Sequence, residues 1–204
     1  MKPEEIEQAS MKTIAAEMAP WRGAEEELPV VMRVIHATAD FDFQKTLRFS
    51  PDAVSLARAA LKRGATIVTD TMMAAAGISK KACSALGVTV TCRMSEPSVA
   101  EEACRRGVTR ATVTMERAAQ QTPEAIYVIG NAPTALLRLC QLIDEKKAAP
   151  TLVVGVPVGF VNVVESKERL ARTAVPSVIA LGRKGGSTVA SAIVNALLYG
   201  IVRP

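Results

Sequence analysis

Short apolar runs rich in β-branched residues alternate along the chain with stretches of helical spacing. Five runs read as strands: Ala-Thr-Ile-Val-Thr at 65–69, Val-Thr-Val-Thr-Cys at 88–92, and the runs at 126–129, 152–156 and 178–181. Turn chemistry follows them: Asp70 after the first, Gly130-Asn131 after the third, Pro157-Val158-Gly159 after the fourth, and Gly182 to Gly186 after the fifth. Helical patterns come next. That order is the sequence sign of βα units. The pattern predicts an α/β fold: a single domain over 1–204, with a mostly parallel five-stranded sheet flanked by helices.

Helix ends are also legible. Val30, Val31, Val34 and Ile35 repeat at helical spacing, which predicts a helix over 28–38 despite Pro29. His36 then lies near its C-terminal end. Ser50-Pro51 is expected to cap a helix with proline at its first position. Ser98 is expected to cap the 99–105 segment, and Asn162 with Glu165 to form a capping box. Gly64, Gly87 and Gly107 sit where helices or turns should stop. Residues 20–28 read as a solvated connection. Neither an internal repeat nor a low-complexity segment is present.

Composition narrows the picture. Hydrophobic residues make up 49% of the 204 positions and charged ones 22%, which is globular usage and argues against disorder. Aromatics are only 3%, so Ala, Val, Leu, Ile and Met must build the core, as suits a parallel sheet covered by helices. The net charge of +5 fits either an ordinary basic protein or one with an anionic ligand. The cations are spread along the chain without interleaved aromatics, which argues against a nucleic-acid surface. Cys83, Cys92, Cys104 and Cys140 form no CxxC pair, and there is one histidine, so a zinc site of ordinary spacing is not expected. Scattered cysteines of this kind suggest a reducing, cytoplasmic location. The charged N-terminus lacks a signal core, and no apolar run approaches the length of a membrane span.

In open parallel sheets, ligands gather beyond the carboxyl ends of the strands. Here those ends carry Asp70, Gly130 to Thr134, Gly155 to Gly159 and Gly182 to Ser187. Glycine loops feeding helix N-termini offer unpaired N–H groups suited to carboxylates or phosphates. The Gly182-Arg183-Lys184-Gly185-Gly186-Ser187-Thr188 loop adds two cations, yet it is neither a P-loop nor a dinucleotide fingerprint. It reads equally as a glycine turn with solvated charges. Pro133 fits a first helical position, and Asn131 or Thr134 can either meet a ligand or cap the helix. His36 can exchange a proton near neutral pH. On a continued helix Asp40, four residues on, would reach its imidazole, although solvated carboxylates are as plausible there. Arg110 sits near a predicted helix start, where the dipole does not favour a cation; it faces either a ligand or solvent.

Four stretches carry a resemblance: Arg33-Val34-Ile35-His36-Ala37-Thr38-Ala39-Asp40, Gly130 to Leu136, Pro157 to Val161 with Glu165-Ser166-Lys167, and Gly182 to Ser187. In this order and spacing the chain resembles the precorrin-8X methylmutase family, in its cobalt-precorrin-8 or metal-free form. The resemblance implies a single α/β domain acting as a homodimer with active sites near the subunit interface. It implies an isomerase of cobalamin biosynthesis that moves a methyl group from C-11 to C-12 of the macrocycle, giving cobyrinate or hydrogenobyrinate. By that likeness His36 is the proton donor and Arg110 the active-site arginine, and Ser10 corresponds to a polar residue near the substrate. Arg183, Lys184, Asn131, Thr134 and Ser187 are the expected contacts to a carboxylate-rimmed tetrapyrrole. No protein-bound cofactor or metal is expected, though the substrate can carry cobalt. The run Asp40-Phe41-Asp42-Phe43 looks more like the cobalt-using branch. Two competing readings are a non-catalytic tetrapyrrole carrier and a small α/β transferase using a nucleotide.

Overall fold

A computed structural model describes residues 2–203. The helices are α1 (Pro3–Glu17), α2 (Leu28–Thr38), α3 (Phe43–Thr46), α4 (Ala53–Lys62), α5 (Met72–Gly77), α6 (Lys80–Leu86), α7 (Pro97–Arg106), α8 (Arg110–Gln121), α9 (Pro133–Asp144), α10 (Val163–Ala171) and α11 (Ser187–Val202). The strands are β1 (Leu47–Phe49), β2 (Thr66–Thr69), β3 (Thr89–Thr91), β4 (Ile126–Ile129), β5 (Leu152–Gly155) and β6 (Ser177–Ala180). A 3-10 turn, Glu25–Glu27, lies within the expected connection.

The sheet order is β1-β6-β5-β4-β2-β3. The five predicted runs are its parallel strands. The sixth corrects the expected count: β1 pairs antiparallel with β6, Leu47 opposite Ala180 and Phe49 opposite Val178. Three residues beside a short helix leave too little pattern to read. Leu47 is buried and Arg48 exposed, as an edge strand requires, whereas β4, β5 and β6 are buried at every position.

Alternation along the strands divides the core. Ile67, Ile126, Val128, Leu152, Val154, Val178 and Ala180 face α2, α4 and α11. Val68, Tyr127, Ile129, Val153 and Ile179 face α8, α9 and α10. Period 2 in the strands thus meets period 3.6 in the helices on both sides of one sheet.

The helix 28–38 and the stops at Gly64, Gly87 and Gly107 agree with expectation; each of these glycines has a left-handed backbone. Three expected caps need correction. The helix after Pro51 begins at Ala53 behind Asp52, and the Ser50 hydroxyl accepts the Ser177 N–H at 2.8 Å instead. Ser98 lies inside α7 and its hydroxyl accepts from Arg117 at 2.8 Å. Asn162 does precede α10, but in a left-handed conformation (φ 57°) without a side-chain cap. In each case a tertiary partner or backbone geometry displaces the local cap.

Candidate functional site at the carboxyl edge of the sheet

The chain runs from β2 outward to β3 and returns on the far side of β2 to β4, so the strand order reverses between β2 and β4. Ligand crevices open at such a point. Here the crevice is filled from within. Asp70, fully buried at the end of β2, accepts the N–H groups of Gly130 at 2.8 Å, Asn131 at 2.8 Å and Ala132 at 2.7 Å. Burial pushes its carboxyl up from the ordinary value, while the three N–H donors pull it down. This corrects the expectation that the Gly130 to Thr134 amides are free for an anion: three are committed to Asp70. Asn131 keeps an exposed side chain. Thr134, in the first turn of α9, shares a hydroxyl contact of 3.2 Å with Thr109, the cap of α8. Arg110 follows Thr109 and is exposed, so the α8 and α9 N-termini bring Arg110 and Thr134 to one place.

The loops after β5 and β6 close on each other. Gly186 donates to the Val156 carbonyl at 2.9 Å, and Gly159 to the Arg183 carbonyl at 3.2 Å. A side chain at Gly185 would meet the Val156 oxygen at 2.2 Å, which explains why only glycine fits there. Ser187 opens α11 with its hydroxyl 2.8 Å from that of Thr71, tying this loop to the end of β2. The Arg183 guanidinium lies 5.6 Å over the ring of Phe160, a cation–π distance. Lys184 is exposed and paired twice, to Asp40 and Asp42, each at 2.7 Å. Its pairing holds the Asp40 carboxyl below the ordinary value.

That pairing corrects the expected Asp40–His36 contact. α2 ends at Thr38, and Ala39 takes a left-handed turn (φ 53°), which carries Asp40 off the helix to Lys184. His36 stands exposed on the last turn of α2, one residue past the buried Ile35. Arg33, one turn earlier, pairs with Glu7 of α1 at 2.5 Å. Arg33 holds the Glu7 carboxyl below its ordinary value, and the His36 charge contributes to the same lowering. Ser10 lies on α1, half-buried, with its hydroxyl turned back to the Ile6 carbonyl at 2.9 Å. Two groups of candidates emerge: Arg110, Asn131 and Thr134 around the switch point, and Arg183, Lys184 and Ser187 around the β6–α11 loop, which Lys184 ties to Asp40 and Asp42 just past the helix that carries His36. Ser10 makes no hydrogen bond to either group.

Reasoning from sequence missed Lys167 as a site residue. It is 1% exposed, and its Nζ donates to the carbonyls of Gly182 at 2.8 Å and Lys184 at 2.7 Å. Burial pulls its pKa down to about 8. A signal was available: Val163, Ser166, Lys167 and Leu170 share the helical spacing of a buried face.

A cavity of about 370 Å³ lined by Thr66, Pro123, Glu124 and Thr151 sits at the amino ends of the strands, away from these groups. The carboxyl edge instead presents apolar surface: Phe160 is 84% exposed, Val161 76% and Met73 71%. Among the described residues no cluster of His, Cys, Asp and Glu could hold a metal ion, and no helix is long and apolar enough to cross a membrane.

The profile of the precorrin-8X methylmutase family matches residues 5–200. The chain is 42% identical over 197 residues to the cobalt-precorrin-8 methylmutase of Priestia megaterium, covering 97% of this chain and 88% of that protein. It is 42% identical over 195 residues to the precorrin-8X methylmutase of Pseudomonas aeruginosa, covering 94% and 93%. The crystal structure of a precorrin-8X methylmutase from Thermus thermophilus superposes with a TM-score of 0.90 at 38% identity, covering 97% of both chains. With the sheet, the loop cluster and these likenesses in agreement, the chain belongs to the precorrin-8X methylmutase family.

Proposed function

We propose that His36 is the proton donor for the methyl shift this enzyme performs. The chain is an isomerase of cobalamin biosynthesis, a methylmutase that moves a methyl group within its corrin precursor. The shift from C-11 to C-12 needs electron density drawn out of the macrocycle. A protonated imidazole hydrogen-bonded to a ring nitrogen does this, and takes the proton back once the methyl has moved, since an isomerisation consumes none. General acid help of this kind is worth about 10² to 10⁴ in rate. The observation that carries the reading is the position of the chain's one imidazole: exposed on the last turn of α2, whose end is paired through Asp40 and Asp42 to the β6–α11 loop.

The substrate's rim carboxylates need cationic or N–H partners. Arg110 and Arg183 are exposed and make no salt bridge among the described residues. Lys184 is neutralised by its two aspartates, so it serves the loop more than the ligand. The amides of Ser187 and Thr188, in the first turn of α11, have no acceptor within their own helix. Phe160, Val161 and Met73, exposed on loops and a helix start after β5 and β2, supply the apolar surface a flat macrocycle needs. Left uncovered on one chain, that surface supports a homodimer whose second copy completes the cleft. The Asp40-Phe41-Asp42-Phe43 run favours a cobalt-containing substrate. A proton lent and taken back leaves no electrons to balance, so this reading assigns the enzyme no cofactor, and its four unpaired cysteines suit the cytoplasm.

The test is His36→Ala and His36→Asn, with turnover followed by the absorbance change of the corrinoid and product affinity measured separately. Turnover should be lost while the fold and product binding persist. Near-normal turnover in His36→Ala refutes the acid role. A tetrapyrrole carrier would show no turnover in the parent protein.

A further inference from the structure

The geometry points to Lys167 as a positioning residue: its buried ammonium sets the β6–α11 loop and, through the Lys184 pairs to Asp40 and Asp42, the end of the helix that carries His36. This rests on the reading of His36 as the proton donor. Lys167 makes no salt bridge among the described residues. A buried ammonium without a counter-ion is unfavourable, and an apolar side chain of the same length would fill the space without that penalty. What the ammonium adds is two hydrogen bonds, to the carbonyls of Gly182 and Lys184, which bracket Arg183. The loop's backbone bonds to its neighbour, Gly186 N–H to the Val156 carbonyl and Gly159 N–H to the Arg183 carbonyl, leave the Gly182 and Lys184 carbonyls to Lys167. Gly182 (φ 76°) and Gly186 (φ 124°) both lie where glycine is favoured and the chain is freest. Lys167 pins its inner side between them.

The outer side of the same loop does two jobs. Arg183 reaches over Phe160, and Lys184 holds Asp40 and Asp42. Asp40 in turn accepts the Asp42 N–H at 2.9 Å, and its own N–H meets the Thr38 hydroxyl at 3.3 Å. Thr38 is the last residue of α2, two past His36. A path therefore runs from the Lys167 ammonium to the Lys184 carbonyl, along the Lys184 side chain to Asp40, and on to Thr38 at the end of the helix that bears the imidazole.

Because the chain has one histidine, its imidazole Cε1–H gives a single NMR cross-peak that reports this turn directly. Lys167→Met, Lys184→Met and the double variant should each displace or broaden that peak. In both single variants kcat should fall roughly tenfold to a hundredfold. KM should rise only in Lys167→Met, because Lys167 pins the backbone on both sides of Arg183, whereas Lys184→Met leaves that pinning in place. The double variant should be no worse than the more damaged single one, because the two residues act in series. An unmoved peak with unchanged kcat in Lys167→Met overturns the proposal, as do strictly additive losses. If Lys167→Met does not fold, Lys184→Met, altered at an exposed side chain, decides on the same two readouts. A His36→Ala protein with full turnover would remove the acid role yet leave the NMR result standing. A dead His36→Ala with an unmoved peak in Lys167→Met would remove the positioning role alone.

Discussion

Asp70→Asn is the sharpest perturbation of the carboxyl edge, because it changes hydrogen bonding with almost no change of shape. The Asp70 carboxylate accepts Gly130 N–H on Oδ1, and Asn131 and Ala132 N–H on Oδ2. Asparagine has one accepting oxygen. Turned towards Asn131 and Ala132, it keeps two bonds without their charge and aims its NH₂ at the Gly130 N–H. Orphaning one buried donor costs about 1–3 kcal/mol, and weakening two charge-assisted bonds to neutral ones costs roughly another 1 kcal/mol in all. Losing the buried charge gives part of this back, because burial disfavours the ionised carboxyl; the net loss is about 2 kcal/mol, which for a chain of this size lowers Tm by about 4–8 °C. Thermal unfolding followed by circular dichroism, with a urea midpoint as cross-check, measures it. Asp70→Ala should lose more, since it leaves all three amides without the carboxylate. A loss under about 1 kcal/mol in Asp70→Asn would refute the argument that this carboxylate organises the β2–β4 crossing.

Other perturbations test other parts of the same frame. Burial lowers the Lys167 pKa to about 8, so the folded state binds this proton less tightly than the unfolded chain does. Its stability penalty is full below pH 8 and fades as pH rises towards the unfolded value; wild type should therefore gain about 1.4 kcal/mol on Lys167→Met between pH 7 and 9 in urea titrations. A flat difference would mean that the two carbonyls offset the burial. Glu116 pairs with Arg106 at 2.6 Å and Arg138 at 2.8 Å, and these partners hold its carboxyl below the ordinary 4.5. Glu116→Gln should cost about 1 kcal/mol at pH 7, with the loss shrinking as pH falls below 4.5 and the carboxylate takes up its proton. Gly130→Ala would put a methyl 2.8 Å from the Ser187 Cα and 3.0 Å from the Ala190 Cβ. It should cost roughly 1–3 kcal/mol in a denaturant melt, because α11 must move off the end of β4.

Much of this architecture is local and therefore readable in the chain. Runs such as Ile126 to Ile129 are apolar at consecutive positions because both faces of an inner strand are covered, and Val30, Val31, Val34 and Ile35 recur at helical spacing because one face of α2 is buried. The four motifs identified the family, and the glycine loops marked the edge of the sheet that carries the candidate site. The edge strand β1 escaped notice because its order comes from β6, 130 residues away, and not from its own three residues. Partner choice among polar groups escaped for the same reason. Asp70 claims amides 60–62 residues distant, Lys184 claims Asp40 and Asp42 across more than 140, and Ser50 meets Ser177 where a helix cap was expected. A pattern of apolar residues records which side of an element faces the core, since burial depends on each residue's own chemistry. Which carboxylate meets which donor depends on where the folded backbone sets them side by side, and that only the tertiary structure decides.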